Sequence, residues 1–275
     1  MVTQRDKAER FKALHEREGA FVIPNPWDVG SARLLAGLGL EALATTSAGF
    51  ANSLGRLDGQ VSRDEVLEHC RGLSAATELP VSADRENCFA DDPAEVGETI
   101  LLGARAGLVG GSIEDYSGEP SNRIYDFGLA VERVHAAAEA AHALDFPFTL
   151  TARAENLIRG KNDLDDTIRR LQAFEAAGAD VLYAPGLTTL DEVRLVTGAL
   201  TKPLNVLAPP LKGVTVAQLA DAGARRISVG GALARAAITA LLRASAEMLE
   251  TGSFAWTSDL ASSADVKKLL SAWVI

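Results

Sequence analysis

A chain of 275 residues, 47% hydrophobic, is long enough to bury one large core, and its formal net charge of −10 repels nucleic acid. It has no basic stripe with interleaved aromatics, no apolar run near the roughly 18 residues of a membrane span, and no signal-peptide pattern in its charged first twenty residues. A cytoplasmic protein with neither nucleic acid nor membrane as partner is therefore expected, and the two cysteines, Cys70 and Cys88, lie in no metal-ligand spacing and suit a reducing compartment.

Short apolar runs recur along the chain, each followed by a segment of helical periodicity. The runs predict strands at residues 21–25, 42–47, 80–84, 108–114, 148–153, 181–185, 204–208 and 227–230. The intervening amphipathic segments predict helices at 28–38, 64–77, 93–106, 129–144, 164–177, 190–199, 216–222 and 233–250. Eight βα units predict a parallel sheet closed into a (β/α)8 TIM barrel, which typically takes about 250 residues. The expectation is one domain over 1–275, with 251–275 as a C-terminal helical extension. The apolar Leu269, Leu270, Trp273, Val274 and Ile275 predict that this extension docks within the subunit or on a neighbour.

Local signals support these boundaries. Ser62 with Glu65, and Thr189 with Glu192, have capping-box spacing, and Asp92 before Pro93 reads as an N-cap with proline at the first helical position. Gly39, Gly178 and Gly223 fall between a helix and the next strand, where a positive φ ends the helix.

Barrel enzymes place their chemistry at the C-terminal strand ends. The strand assignment puts there Asn25, Ser47, Asp84, Glu86, Glu114, Asp115, Arg153, Glu155 and Asn205. Asp84, Glu86 and Glu114 would repel one another in a low-dielectric mouth unless a cation sat among them. Oxygen-only ligands select a hard ion, Mg²⁺ or Mn²⁺. Asp115 and Glu155 fit solvated loop carboxylates instead. His15, His69, His135 and His142 all fall in helical segments, and no lysine falls on a strand end, which argues against a histidine zinc site, a Ser-His-Asp triad and a Schiff-base aldolase. Metal-assisted stabilisation of an enolate formed from a 2-oxo acid remains, with Arg153 neutralising the substrate carboxylate.

Several short segments, in order, resemble the isocitrate lyase and phosphoenolpyruvate mutase superfamily over nearly the whole chain. They are Thr46-Ser47-Ala48-Gly49, Leu54-Gly55-Arg56-Leu57-Asp58-Gly59, Val81-Ser82-Ala83-Asp84-Arg85-Glu86, Ile113-Glu114-Asp115, Thr151-Ala152-Arg153-Ala154-Glu155 and Leu204-Asn205-Val206. The resemblance implies that Ser47, Ala48 and Gly49 bind the substrate carboxylate and keto group and that Asp84 is the direct magnesium ligand. It also implies that Asp58, Glu86 and Glu114 hold metal-bound waters, that Arg153 anchors the oxo acid and that Asn205 lines the site. Alone, Asp58 reads as an ordinary turn residue. The family usually forms homotetramers in which a C-terminal helix crosses to a neighbouring subunit, so a homotetramer or homodimer with a swapped extension is implied.

Two departures narrow the chemistry. The superfamily's carbon–carbon lyases carry Lys-Lys/Arg-Cys-Gly-His after strand four, whereas residues 116–127 here hold no cysteine, leaving Tyr116, Arg123 and Tyr125 as candidate acid or anion-binding groups in a possible lid loop. The glutamate that isocitrate-type lyases place after strand six is replaced by Tyr183-Ala184-Pro185-Gly186. Cys88 fits a bystander. The expected function is a Mg²⁺-dependent lyase acting on a small 2-oxo acid or substituted malate, a dicarboxylate, by carbon–carbon cleavage or decarboxylation. Its catalytic residues are expected to be Asp58, Arg153, Tyr116 and Arg123. The alternatives are phosphorus–carbon chemistry on phosphonopyruvate, by a mutase or hydrolase, and a barrel that binds a 2-oxo acid without turnover.

Overall fold

The computed structural model describes residues 2–118 and 124–273. Among them the predicted runs form β1 (Phe21–Ile23), β2 (Leu43–Ala44), β3 (Val81–Ala83), β4 (Gly110–Glu114), β5 (Thr149–Arg153), β6 (Val181–Tyr183), β7 (Leu204–Leu207) and β8 (Arg226–Ser228). Every registered pairing is parallel, in the order β1-β8-β7-β6-β5-β4-β3-β2. The seam between β1 and β2 is drawn together by the Ala44 amide, which donates to the Pro24 carbonyl at 3.0 Å. The architecture is therefore the expected (β/α)8 barrel.

The helices are α1 (Gln4–Glu16), α2 (Val29–Gly37), α3 (Ser47–Ser53), α4 (Arg63–Ala76), α5 (Pro93–Arg105), α6 (Phe127–His142), α7 (Leu164–Ala176), α8 (Leu190–Gly198), α9 (Val216–Asp221), α10 (Ala232–Thr251) and α11 (Ser263–Leu270). The capping boxes at Ser62 and Thr189 form, and the Asp92 side chain accepts from the Ala94 amide. Gly39, Gly178 and Gly223 take the left-handed φ their positions demand.

The strands are shorter than the apolar runs because their last predicted residues leave the ladder and turn into the mouth. Two helices lie outside the eight predicted βα segments and the predicted extension. The first, α1, is charged on its outer face, while Ala8, Phe11 and Leu14 pack with Phe21, Ile23, Ala42 and Val109 to plug the N-terminal end of the barrel. Lys7 on this helix donates from Nζ to the carbonyls of Ser74 at 2.8 Å and Thr77 at 2.7 Å, satisfying the otherwise orphaned end of α4. The second, α3, begins at Ser47, where the predicted second strand was to end, and Thr46 caps it.

The predicted C-terminal extension and the eighth barrel helix before it behave differently. Helix α11 docks on α2 of its own chain, and Gly37 makes this possible: a Cβ there would meet the Leu269 carbonyl oxygen at 2.8 Å. Helix α10, twenty residues long, buries only Ala234 and Ala244, leaving Ile238, Leu241, Leu242, Met248 and Leu249 exposed. No described helix is long and apolar enough to cross a membrane.

Candidate active site

The mouth loops converge on a cavity of about 590 Å³ whose wall includes Thr46, Ser47, Ala48, Gly49, Asp58, Asp84, Arg153 and Asn205. Strand register explains much of this convergence. In parallel strands, directly paired residues present their side chains to the same face, so Glu114, Arg153 and Tyr183, paired across β4, β5 and β6, all point inward.

Arg153 is the electrostatic hub. Its Nη1 lies 2.8 Å from Asp84 Oδ1 and 3.3 Å from Glu114 Oε2, and its Nη2 lies 2.8 Å from Glu155 Oε1. Burial works against its charge, but Glu155, Glu114 and Asp84 together outweigh that and hold the guanidinium firmly protonated. Asp84 Oδ2 also accepts from the Ser47 hydroxyl at 3.2 Å and lies 3.4 Å from the Ser47 amide, while the Asp84 amide donates to Thr45 Oγ1 at 2.8 Å. The β2–α3 turn and the end of β3 are thus fastened together.

Arg153 and its neighbour Arg159 do not satisfy so many carboxylates. Burial, with Asp84 and Asp58 adding repulsion, pushes Glu86 up to about 7. Burial and then Glu155 raise Glu114 well above the usual carboxylate range, with Arg153 opposing. Asp58 is raised by burial, and a hydrogen bond from Ser47 moderates the shift. Excess negative charge of this kind is what a divalent cation relieves. Among the described residues no three His, Cys, Asp or Glu side chains converge closely enough to cage an ion. The donor set fits an ion that takes one direct carboxylate and keeps most of its waters, as Mg²⁺ does, with the neighbouring carboxylates holding those waters.

Backbone strain positions one of these carboxylates. Glu86, Cys88 and Phe89 have φ of 51°, 61° and 58°, a region non-glycine residues avoid. The loop is held there by Arg133 of α6, which donates to the carbonyls of Asn87 at 2.6 Å, Asp91 at 2.9 Å and Ala90. Cys88 is fully buried, and burial pushes its thiol up, as suits a bystander.

Several expectations change in detail. Asp115 and Glu155 are not solvated. Both are buried, because the chain turns back over them: Asp115 pairs with Arg170 at 3.1 Å and accepts from the Glu155 amide at 2.8 Å, while Glu155 pairs with Arg153 and Arg159. Burial still outweighs those partners and pushes Asp115 up to about 6. Tyr116 pairs with Ile124 and lies with its ring centroid 3.6 Å from the Arg159 guanidinium carbon, outside the cavity wall. Tyr125 faces Arg133, and its phenol bonds Asp91 and Asn87. Arg123 lies outside the described residues.

The Gly49 amide is committed to Thr46 Oγ1 at 3.3 Å; the value of this glycine is space, since a Cβ would meet Thr46 Cγ2 at 2.6 Å and Ala234 Cβ at 3.2 Å. Asn25 staples the barrel seam, donating to the Thr45 carbonyl at 2.9 Å and accepting from the amides of Val229 at 3.0 Å and Gly230 at 2.8 Å. The sequence reading missed Arg159, Tyr183, Arg226 and Arg235, all in the cavity wall. Tyr183 fell in the middle of the predicted sixth strand, 181–185, which the structure ends at this residue. Arg226 carried no signal, because it precedes the predicted strand.

Comparison with known proteins agrees with this geometry. Residues 11–249 match the phosphoenolpyruvate phosphomutase family. The chain is 29% identical over 202 residues to 2-methylisocitrate lyase of Escherichia coli, covering 70% of this chain and 67% of that protein. It is 28% identical over 243 residues to oxaloacetate decarboxylase of Paraburkholderia xenovorans, covering 84% and 79%. A crystal structure from Burkholderia cenocepacia, provisionally assigned as a lyase or mutase, superposes with a TM-score of 0.93 at 55% identity, covering 96% of this chain and 95% of that one. The chain belongs to the phosphoenolpyruvate phosphomutase family, within the isocitrate lyase and phosphoenolpyruvate mutase superfamily of lyases and mutases.

Proposed function

We propose that this chain is a Mg²⁺-dependent lyase that breaks a carbon–carbon bond in a small 2-oxo acid or substituted malate, by retro-aldol cleavage or decarboxylation through an enolate. The observation that carries this reading is Arg153, which is held by three carboxylates in the cavity beside the Ser47 turn. Two activities among similar proteins, 2-methylisocitrate lyase and oxaloacetate decarboxylase, are of this kind.

Asp84 would hold the metal directly, and Asp58, Glu86 and Glu114 would hold its waters. The ion, when bound, supplies Lewis-acid stabilisation of the developing oxyanion. Arg153, which lines the cavity beside Asp84, offers its planar guanidinium fork to the substrate carboxylate. The Ser47 hydroxyl and the Ala48 amide receive the same end of the substrate, and Asn205 braces the floor. Arg235, one turn into α10, lines the cavity and has no side-chain partner among the described residues. Gly231 lies beside Ala48, where a Cβ would sit 3.7 Å from that residue's Cβ, which brings the start of α10 next to the Ser47 turn. A free guanidinium there suits the second carboxylate of a dicarboxylate substrate. The exposed apolar face of α10 fits burial against a second copy of the chain, as a homodimer or homotetramer.

The test is a panel of oxaloacetate, 2-methylisocitrate, dimethylmalate and phosphonopyruvate assayed with Mg²⁺ for keto-acid release. Turnover of one of the first three is expected. Turnover of phosphonopyruvate alone, or tight oxalate binding with none of the four turned over, overturns the lyase reading.

A further inference from the structure

A carbon–carbon lyase must return a proton to the enolate carbon after the bond breaks, and no cysteine, histidine or lysine lines the cavity among the described residues. The ionisable groups in the wall are Asp58, Asp84, Arg153, Arg159, Tyr183, Arg226 and Arg235. A guanidinium is too weak an acid to serve as the donor, and the two carboxylates belong to the cation site proposed above. Tyr183 is left.

Its placement follows from an inward row that crosses five strands: Glu114 pairs with Arg153, Arg153 with Tyr183, Tyr183 with Asn205, and Asn205 with Arg226. The stagger of a closed barrel makes such a row descend from the mouth toward the floor. Tyr183 stands in the middle. The Arg153 guanidinium carbon lies 5.0 Å from the centroid of its ring, so a substrate held by Arg153 lies over this residue. The phenol reaches past β7 to hydrogen-bond Ser228 of β8, which also lines the cavity. Ser228 Oγ accepts from Asn205 Nδ2 at 3.0 Å, and Asn205 Oδ1 accepts from Arg226 Nε at 2.8 Å. Arg226 is buried, and its Nη1 has no partner.

We infer that Tyr183 is the general acid that protonates the enolate carbon, an inference that rests on the lyase reading. The phenol O–H bond breaks, and its proton forms the new C–H bond using the electron pair of the enolate double bond, as the carbonyl is restored. The O–H electron pair stays on the phenolate, which the Ser228 hydroxyl stabilises and which Arg153 and Arg226 flank with positive charge. A proton from solvent then regenerates the phenol. Burial pushes Tyr183 up to about 12, which keeps it protonated and ready to donate at neutral pH.

The variant that isolates this role is Tyr183→Phe, which keeps the ring against Arg153 and removes only the hydroxyl. Three readouts apply: kcat and KM on the turned-over substrate, oxalate affinity in Mg²⁺ by calorimetry, and exchange of pyruvate methyl hydrogens with D2O followed by proton NMR. The expectation is a kcat lower by roughly 10²-fold or more, matching loss of methyl exchange, and unchanged oxalate affinity. Ser228→Ala, which leaves the phenol in place without its hydroxyl partner, is expected to give a smaller loss of the same two rates. Wild-type rates of turnover and exchange in Tyr183→Phe overturn the assignment. A loss of oxalate affinity equal to the loss of rate also overturns it, because that pattern marks a binding role. Failure of the wild-type protein to bind oxalate with Mg²⁺ instead sinks the lyase reading itself.

Discussion

The mouth between β3 and β5 and the outer face of α10 violate opposite halves of the same rule. At the mouth, Glu114, Asp115, Glu155 and Arg153 are taken out of water. On α10, Leu241, Leu242 and Leu249 are left in it, at 66%, 63% and 87% exposure. Each arrangement is unfavourable for an isolated chain, and under the proposed function a cation with an anionic substrate at the mouth, and another apolar surface on the helix, would offset it. The two sites differ in how they are held meanwhile. The mouth is preorganised by a dense set of ion pairs and by a strained loop clamped by Arg133, whereas α10 extends with almost no burial of its own.

The largest expected effect breaks the mouth. Asp84→Ala is expected to lower turnover by roughly 10³-fold and to abolish Mg²⁺-dependent oxalate binding in calorimetry; retained binding would remove Asp84 from the site. Next, Arg153→Met leaves Asp84 and Glu114 without their cation and Glu155 with Arg159 alone, and should cost about 3–5 kcal/mol of stability. Calorimetric melts should show Mg²⁺ raising the Tm of this variant more than that of the wild type, since Arg153 no longer offsets Asp84 and Glu114.

The other side of the comparison is tested with Leu241→Glu combined with Leu242→Glu. Light scattering should report a smaller assembly while the fold, read by circular dichroism, persists. An unchanged mass would place the interface elsewhere.

A pH effect away from the mouth is also expected. His15 plugs the barrel floor, and burial depresses it from 6.5 to about 3, with Arg226 opposing its charge. A depressed pKa means that the unfolded chain binds the proton more readily. Stability should therefore be complete above about pH 6.5 and decline as the pH falls from there toward about 3. Replacing His15 with Phe should flatten the fall in Tm between pH 7.5 and 5.0 relative to wild type, and identical slopes would exclude His15 as a contributor. The smallest effect belongs to scaffold: Ser62→Ala, which removes one N-cap, should cost about 1 kcal/mol and leave oxalate affinity untouched.

Much of the mouth was legible in order along the chain. Asp84, Glu114 and Arg153 each close an apolar run, and a side chain at the end of a barrel strand has little choice but to enter the mouth. Their meeting at Arg153 follows from the pairing of Glu114 with Arg153 on adjacent strands. The burial of Asp115 and Glu155 was not legible, because their partners Arg170 and Arg159 come from a following helix and turn whose approach periodicity does not encode. Tyr116 illustrates the same difficulty: a polar aromatic just past a strand end looks like a site residue until Arg159 is seen to cover it.

The sequence by itself determined the eightfold βα alternation, the helix caps and the identity of the strand-end carboxylates, since these depend on propensity, periodicity and residues three or four apart. Only the tertiary structure decided which inward side chains share a level, because barrel stagger brings Tyr183 of β6, Asn205 of β7 and Arg226 of β8 into one descending row. It also decided where the two ends of the C-terminal segment go. Docking α11 depends on the missing side chain of Gly37, far away in sequence, while α10 finds no comparable surface on its own barrel.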